Sequence, residues 1–351
     1  NANHKLKQAL KKTILPSNIF DAMGVYYLGP VGGHDVEQLA TVIRWATEMA
    51  APVLVHVISK KGKGCSFAEE HPEKYHGVGA FDPVTGAIPE SGPSFSSVFG
   101  DKLVQIAEDN KDVIAITAAM ASGTGLDKFA VKYPERFFDV GIAEQQAVSM
   151  AAGMAMQGLV PVVAIYSSFL QRAYDMLIHD ISLQRLHVVF CVDRAGLVGS
   201  DGETHHGSFD LSYLSSVPYM QILCPASFAE LERMLDMAVN EMDGPVAIRY
   251  PRGGEGIYRG CEIAPSVKLL DGKDITLAAY GTTINTMLGL ADKLKDQGIS
   301  ADVIKLSSLH LHPYDDVLAS LKKTGVFLMA EEVCESACVA DGILAAAERN
   351  G

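Results

Sequence analysis

The run Asp139-Val140-Gly141-Ile142-Ala143-Glu144-Gln145-Gln146 sets a carboxylate at the head of an alanine- and methionine-rich helical pattern, Ala143 to Met156. A helix of that composition must be buried, and a buried helix rarely carries a charge without a use. Glu144 therefore has two readings: it complements the positive end of the helix dipole, or it is held for a ligand. Farther on, Tyr166-Ser167-Ser168-Phe169-Leu170-Gln171-Arg172-Ala173-Tyr174-Asp175 carries an aromatic pair and an arginine from a strand end into the next helix. Open α/β sheets bind ligands at such ends. Taken alone, Phe169 reads first as an ordinary core aromatic, and less so beside Glu144.

The elements that must position these groups follow from the apolar pattern. Continuous runs at Val53 to Ile58, Val113 to Thr117, Val162 to Tyr166, Val188 to Val192 and Val246 to Tyr250 predict buried strands. Between them Asp35 to Met49, Phe95 to Glu108, Ala143 to Met156, Phe169 to Gln184 and Phe228 to Asn240 have helical spacing. The fold class is α/β: doubly wound parallel sheets with helices on both faces, plus a C-terminal α/β domain with strands at Ile275 to Tyr280, Asp302 to Leu306 and Val326 to Ala330. Linkers at Asp82 to Ser94 and Gly253 to Ser266 give three domains, 1–92, 93–260 and 261–351. The first shows only one clear central strand, as the tail of a larger domain would. The second carries about five strands.

The 351 residues are 48% hydrophobic and 20% charged, with a net charge of −13. That surface repels nucleic acid and anionic lipid, so an anionic substrate needs local arginines. The six cysteines show no zinc spacing and read as free thiols in a reducing compartment. The apolar stretch Met150 to Leu170 is broken by Gly153, Gly158 and Pro161 into a helix and a strand, so no membrane span is expected. Asn1 opens no basic-then-apolar leader, and a start farther upstream and a cytoplasmic location are expected.

Glu144 with its Ile-Ala-Glu-Gln context, followed by the Tyr166 to Asp175 run, resembles the pyrimidine-binding domain of the transketolase family of thiamin-diphosphate enzymes. Further motifs follow the order of that family's pyruvate-condensing branch: Tyr27 to Asp35, Lys60-Lys61-Gly62-Lys63-Gly64, Tyr75-His76-Gly77-Val78, Phe81-Asp82-Pro83, Asp193 to Gly207, Phe209 to Leu214, and Arg249-Tyr250-Pro251-Arg252-Gly253. They span nearly the whole chain.

The resemblance implies that pyruvate and D-glyceraldehyde 3-phosphate are joined with loss of carbon dioxide, giving 1-deoxy-D-xylulose 5-phosphate, in a homodimer with thiamin diphosphate and Mg2+. By the same resemblance Glu144 hydrogen-bonds the aminopyrimidine and promotes loss of the thiazolium C2 proton, and Phe169 stacks on the pyrimidine. His76 and His205 stand at the reacting carbons as proton carriers, with His206 a weaker candidate and Asp201 orienting His205. Tyr166, Arg194 and Arg252 match the phosphate-binding set, where guanidinium forks pair with phosphate oxygens. Arg172 matches a further active-site arginine or serves as a surface ion-pair partner. Lys61 approaches the cofactor or sits in a flexible basic turn.

The family's Gly-Asp-Gly motif with its later asparagine, which holds metal and diphosphate, has no match here, nor has its early catalytic histidine; no metal ligands are expected in this chain and both features are expected upstream. Gln146 stands where many relatives have histidine. The segment Glu331-Glu332-Val333-Cys334-Glu335 matches loosely, and the third domain is expected to serve assembly. Competing readings are a transketolase, the β-type subunit of a 2-oxoacid dehydrogenase, and a non-catalytic relative.

Overall fold

The computed structural model describes residues 18–72, 74–89, 92–309 and 314–350. The first 17 residues of the expected first domain, residues 90 and 91 of the expected linker, and residue 351 lie outside the described residues. The chain divides into two compact units, Asn1–Ser91 and Gly92–Gly351.

In the first unit, strand β1 (Tyr26–Gly32) runs into helix α1 (Val36–Glu48), and the chain returns as strand β2 (Val53–Ile58), parallel to β1. Asp35 caps α1, its carboxylate accepting the Gln38 amide at 2.9 Å. The expectation of a single strand was one short, because Gly29 and Pro30 disguise β1 as a loop motif. Among the described residues of this unit, Val42 is the one buried hydrophobic side chain.

The second unit holds a six-stranded and a four-stranded sheet. Helix α2 (Phe95–Asp109) leads to β3 (Val113–Thr117) and the short β4 (Phe137–Asp139), then α3 (Glu144–Ala155), β5 (Val160–Tyr166), β6 (Val188–Asp193), β7 (Gln221–Leu223), α4 (Phe228–Asn240) and β8 (Pro245–Arg249). All six strands are parallel, in the order β4-β3-β5-β6-β8-β7. Every residue of β3, β6 and β8 is buried, which is why these strands read as unbroken apolar runs. The stretch from Met150 divides as expected into α3 and β5, and no helix among the described residues is long and apolar enough to cross a membrane.

The segment after β5 departs from the expected regular helix. It is an α turn at Ser167–Leu170, a 3-10 turn at Gln171–Ala173, a helical turn at Tyr174–Met176 and a π turn at Leu177–Ser182. Leu170, Ala173, Leu177 and Ile181 still bury one face; the winding changes while the apolar seam persists, and such changes frequently mark functional sites.

The four-stranded sheet comprises β9 (Ser266–Leu270), β10 (Ile275–Tyr280), β11 (Ala301–Leu306) and β12 (Phe327–Ala330), with helices α5 (Ile284–Lys295), α6 (Asp315–Thr324) and α7 (Val339–Asn350). Its β9 pairs antiparallel with β11, so this sheet is mixed, and β9 adds a strand to the three expected in the C-terminal α/β domain. The sheets are stitched together: the Cys224 amide donates to Ser307 O at 2.9 Å and the Leu309 amide to Ile222 O at 3.1 Å. Ile222, Tyr280, Ile304 and Leu306 share one apolar core, and the fully buried pair Lys305–Glu230 spans 2.7 Å between them.

Candidate active site

Glu144 begins α3 and is 2% exposed. The approach to it is shaped by Asp139, whose Oδ1 accepts the amides of Ala119 (2.7 Å) and Gly141 (2.9 Å) and so ties the ends of β3 and β4 together. Arg172 Nη1 donates to Glu144 Oε1 at 2.6 Å, while the arginine side chain is 47% exposed. Arg172 is thus an ion-pair partner, though of the buried Glu144 and not of a surface acid.

From Arg172 the contacts run on without a break. Its guanidinium lies 4.9 Å from the centre of the Phe169 ring. Phe169 stacks with Tyr166 at 5.8 Å and meets the edge of the His205 ring at 5.2 Å. The Arg194 guanidinium sits 3.8 Å from the centre of the Tyr166 ring, a stacked cation–π arrangement. Beside Phe169, the Ser167 and Ser168 hydroxyls are buried without a hydrogen-bond partner, an arrangement that a protein tolerates where a ligand or water supplies the partner.

Arg194 is anchored by its backbone. It takes a left-handed conformation with φ 59°, uncommon for a residue with a Cβ, and its amide donates to Asp193 Oδ1 at 2.6 Å. Its Nη1 also donates to Gly123 O at 2.9 Å and its Nε to Asp201 Oδ2 at 3.1 Å. A Cβ at Gly123 would lie 1.6 Å from the Tyr166 hydroxyl, so only glycine lets that ring reach its place. Burial pushes Tyr166 up to about 12, keeping its hydroxyl protonated. Burial likewise pushes Asp193 up to about 6, against the pull of Arg194 and of the Ser96 hydroxyl, which donates to Oδ2 at 2.7 Å.

Asp201 does not orient His205, as had been expected. One oxygen, Oδ2, serves both Arg194 Nε and Arg252 Nε, at 3.1 and 3.2 Å; two charge-assisted bonds outweigh one to an imidazole. His205 instead pairs its Nδ1 with the Thr204 hydroxyl at 3.0 Å. Arg252, 40% exposed, also donates to Ser200 Oγ at 2.6 Å. His206 accepts the Val198 amide at its Nδ1, 3.1 Å, and so braces the loop.

The structure therefore gathers Glu144, Tyr166, Phe169, Arg172, Arg194, Asp201, His205 and Arg252 at the carboxyl ends of parallel strands. Lys61 and His76 are exposed residues of the first unit. There Glu69 organises the basic loop: it pairs with Lys60 at 2.6 Å and accepts the Gly64 amide at 2.9 Å, contacts that pull its carboxyl down to about 2. Lys61 stays outside that cluster.

Glu69 escaped notice at the sequence level, and Asp139 and Asp193 entered only as the first residues of quoted motifs, with no role of their own. Asp193 had a usable signal, a carboxylate closing an apolar strand directly before an arginine.

Three family descriptions cover most of the chain: "1-deoxy-D-xylulose-5-phosphate synthase" over residues 1–59, "Transketolase, pyrimidine binding domain" over 91–254 and "Transketolase, C-terminal domain" over 266–351. The 1-deoxy-D-xylulose-5-phosphate synthase of Clostridium kluyveri is 48% identical over 324 residues, 91% of this chain and 51% of that protein. The chain belongs to the 1-deoxy-D-xylulose-5-phosphate synthase family. Another relative bearing that family's name, from Carboxydothermus hydrogenoformans, is 51% identical over 86% of this chain and 49% of its own length. The chain spans about half the length of the synthase-family relatives it matches. Among solved structures, a protein described as "Split gene transketolase, inactive beta4 tetramer" superposes with a TM-score of 0.66 at 29% identity, covering 74% of this chain and 86% of that one.

Proposed function

We propose that the chain forms the pyrimidine- and acceptor-binding part of a transferase that joins pyruvate to D-glyceraldehyde 3-phosphate, releasing carbon dioxide and giving 1-deoxy-D-xylulose 5-phosphate, a precursor for isoprenoids, thiamin and pyridoxal. The observation that carries this reading is the unbroken line of contacts from the buried Glu144 through Phe169 and Tyr166 to Arg194, Asp201 and Arg252. It sets a dry carboxylate at one end and paired guanidiniums at the other.

The residues present fit the pyrimidine end of thiamin diphosphate: a carboxylate 2% exposed, an aromatic ring, and two buried serine hydroxyls lacking partners. When bound, that cofactor supplies the carbon nucleophile for the oxo carbon of pyruvate and takes up the electron pair left by carbon dioxide. In this reading Glu144 holds a proton-sharing bond to the pyrimidine nitrogen in low dielectric, where such a bond is strong. Phe169 fixes the plane of the ring. Arg194 and Arg252 bind the phosphate of the aldehyde. His205, held against Phe169, exchanges a proton at the carbon where the new bond forms. We assign Mg2+ and the diphosphate to residues outside this set. A homodimer in the cytoplasm completes the reading, the latter supported by six unpaired cysteines.

The test is carbon dioxide release from pyruvate by the full-length protein with thiamin diphosphate and Mg2+. Release that depends on D-glyceraldehyde 3-phosphate, with a phosphorylated ketose formed, is expected. Two-carbon transfer between sugar phosphates in its place would make the protein a transketolase.

A further inference from the structure

We infer that Glu332, on the turn after β12, is a positioning residue for the loop that carries Asp201 and His205, so that the C-terminal sheet sets the acceptor end of the site. The kinetic consequence rests on the proposed condensation; the geometry does not.

The loop from Gly196 to Gly207 is closed at its base by reciprocal bonds, the Gly196 amide to Gly207 O at 3.0 Å and the Gly207 amide to Gly196 O at 2.8 Å. Glu332 reaches that base from the other sheet, its Oε2 accepting the Leu197 amide at 3.3 Å. The approach is close enough to dictate the residue beneath it: a Cβ on Gly196 would lie 2.3 Å from the same oxygen, and Gly196 has φ +80°. On the far side of the pinch, the Cys334 amide donates to Ser208 O at 2.8 Å. Arg249, buried at the end of β8, completes the grip. Its Nη2 donates to both Gly207 O and Glu332 O at 3.4 Å, and its Nε binds Asp210 Oδ2 at 2.7 Å.

What hangs on this base is the acceptor end. Ser200 holds Arg252, Asp201 joins Arg252 to Arg194, and His205 lies against Phe169. A shift of the arginine pair weakens the charge-assisted bonds it can make to an anion, an effect felt first in binding. The neighbouring carboxylate does different work: Glu331 accepts the Val339 and Ala340 amides at the start of α7, and the Tyr280 hydroxyl. Of two adjacent acids, one holds its own domain together and the other faces the loop. The C-terminal sheet thus has a role beyond the assembly expected of it.

The first experiment is amide hydrogen exchange on wild type, Glu332→Ala and Glu332→Gln. The alanine variant should exchange about tenfold or more faster across residues 196–207, while β5 and β6 stay protected; glutamine keeps an oxygen acceptor and should restore wild-type protection. In full-length holoenzyme, Glu332→Ala should raise KM for D-glyceraldehyde 3-phosphate about tenfold while kcat falls less than about threefold, again with rescue by glutamine. Unchanged loop exchange in the alanine variant overturns the inference. So does faster exchange throughout the unit without rescue by glutamine, the mark of a merely structural residue. If wild type shows no aldehyde-dependent release of carbon dioxide, the proposed function falls, and the exchange result still decides the positioning role.

Discussion

At the two ends of the candidate site the fold anchors opposite charges. At the Glu144 end the carboxylate is fixed, 2% exposed at the start of a buried helix, and its counter-ion Arg172 is 47% exposed. At the other end the cation is fixed: Arg194 is 13% exposed, stacked on Tyr166 and held by a left-handed backbone, while Asp201 and Arg252 reach it from a loop and a strand end. On the proposed function, the more buried group at each end is the one that stays for the ligand, and the more exposed partner is the one a ligand replaces. That reading prepares one end for a hydrogen-bond donor and the other for an anion.

The largest effect should come from removing the anchored acid. Glu144→Gln in full-length holoenzyme is expected to cut turnover about 10³-fold, the size of a lost acid–base group, and to suppress exchange of the cofactor's C2 proton, followed by NMR. Normal exchange in that variant would reduce Glu144 to a complement of the helix dipole.

The second test turns on Asp193, which braces the fixed cation. Its carboxyl titrates near 6 when folded and from an ordinary 3.8 otherwise. The folded state therefore keeps this proton between those values, so the contribution to stability is present below about 4 and is lost as pH rises through 6. A displacement of about 2 in pH corresponds to about 3 kcal/mol. Urea unfolding of wild type and Asp193→Asn should show wild type losing about that much relative to the variant between pH 4 and 7.5. A flat difference would mean that Arg194 keeps Asp193 ionised throughout.

For the fixed cation itself, Arg194→Ala should raise KM for the phosphorylated aldehyde about 30-fold, the loss of roughly 2 kcal/mol of charge-assisted bonding, with a smaller rise for Arg172→Ala. Equal effects would break the contrast between anchored and exchangeable arginines. The smallest change probes the platform beneath Arg194. Gly123→Ala puts a methyl group where the Tyr166 hydroxyl lies, and overpacking of this kind costs about 1–2 kcal/mol, read as a lower Tm.

Much of this was legible in the sequence. The buried strands announce themselves because a parallel sheet covered on both faces needs apolar residues at every position, and α3 was legible with its carboxylate because Glu144 stands out against alanines and methionines. The strand Tyr26–Gly32 was hidden by its glycines and proline, and the turns after β5 by an apolar spacing that survives a change of winding. Site residues were harder. Arg194, Arg252 and Asp201 belong to one cluster, but which carboxylate faces which cation depends on loops that meet from different parts of the chain.

What the sequence alone determined, then, is composition-driven: the α/β class, the strand cores, the family motifs, and a charge placed at the head of a buried helix. Periodicity and burial are local properties, and they survive without knowledge of neighbours. Only the tertiary structure decided that Asp201 serves two arginines and not His205, that Asp193 is buried beneath Arg194, and that Glu332 reaches across to the loop at Gly196. Those outcomes are set by contacts between residues as much as 135 positions apart, such as the Glu332 carboxylate and the Leu197 amide, and no local pattern encodes them.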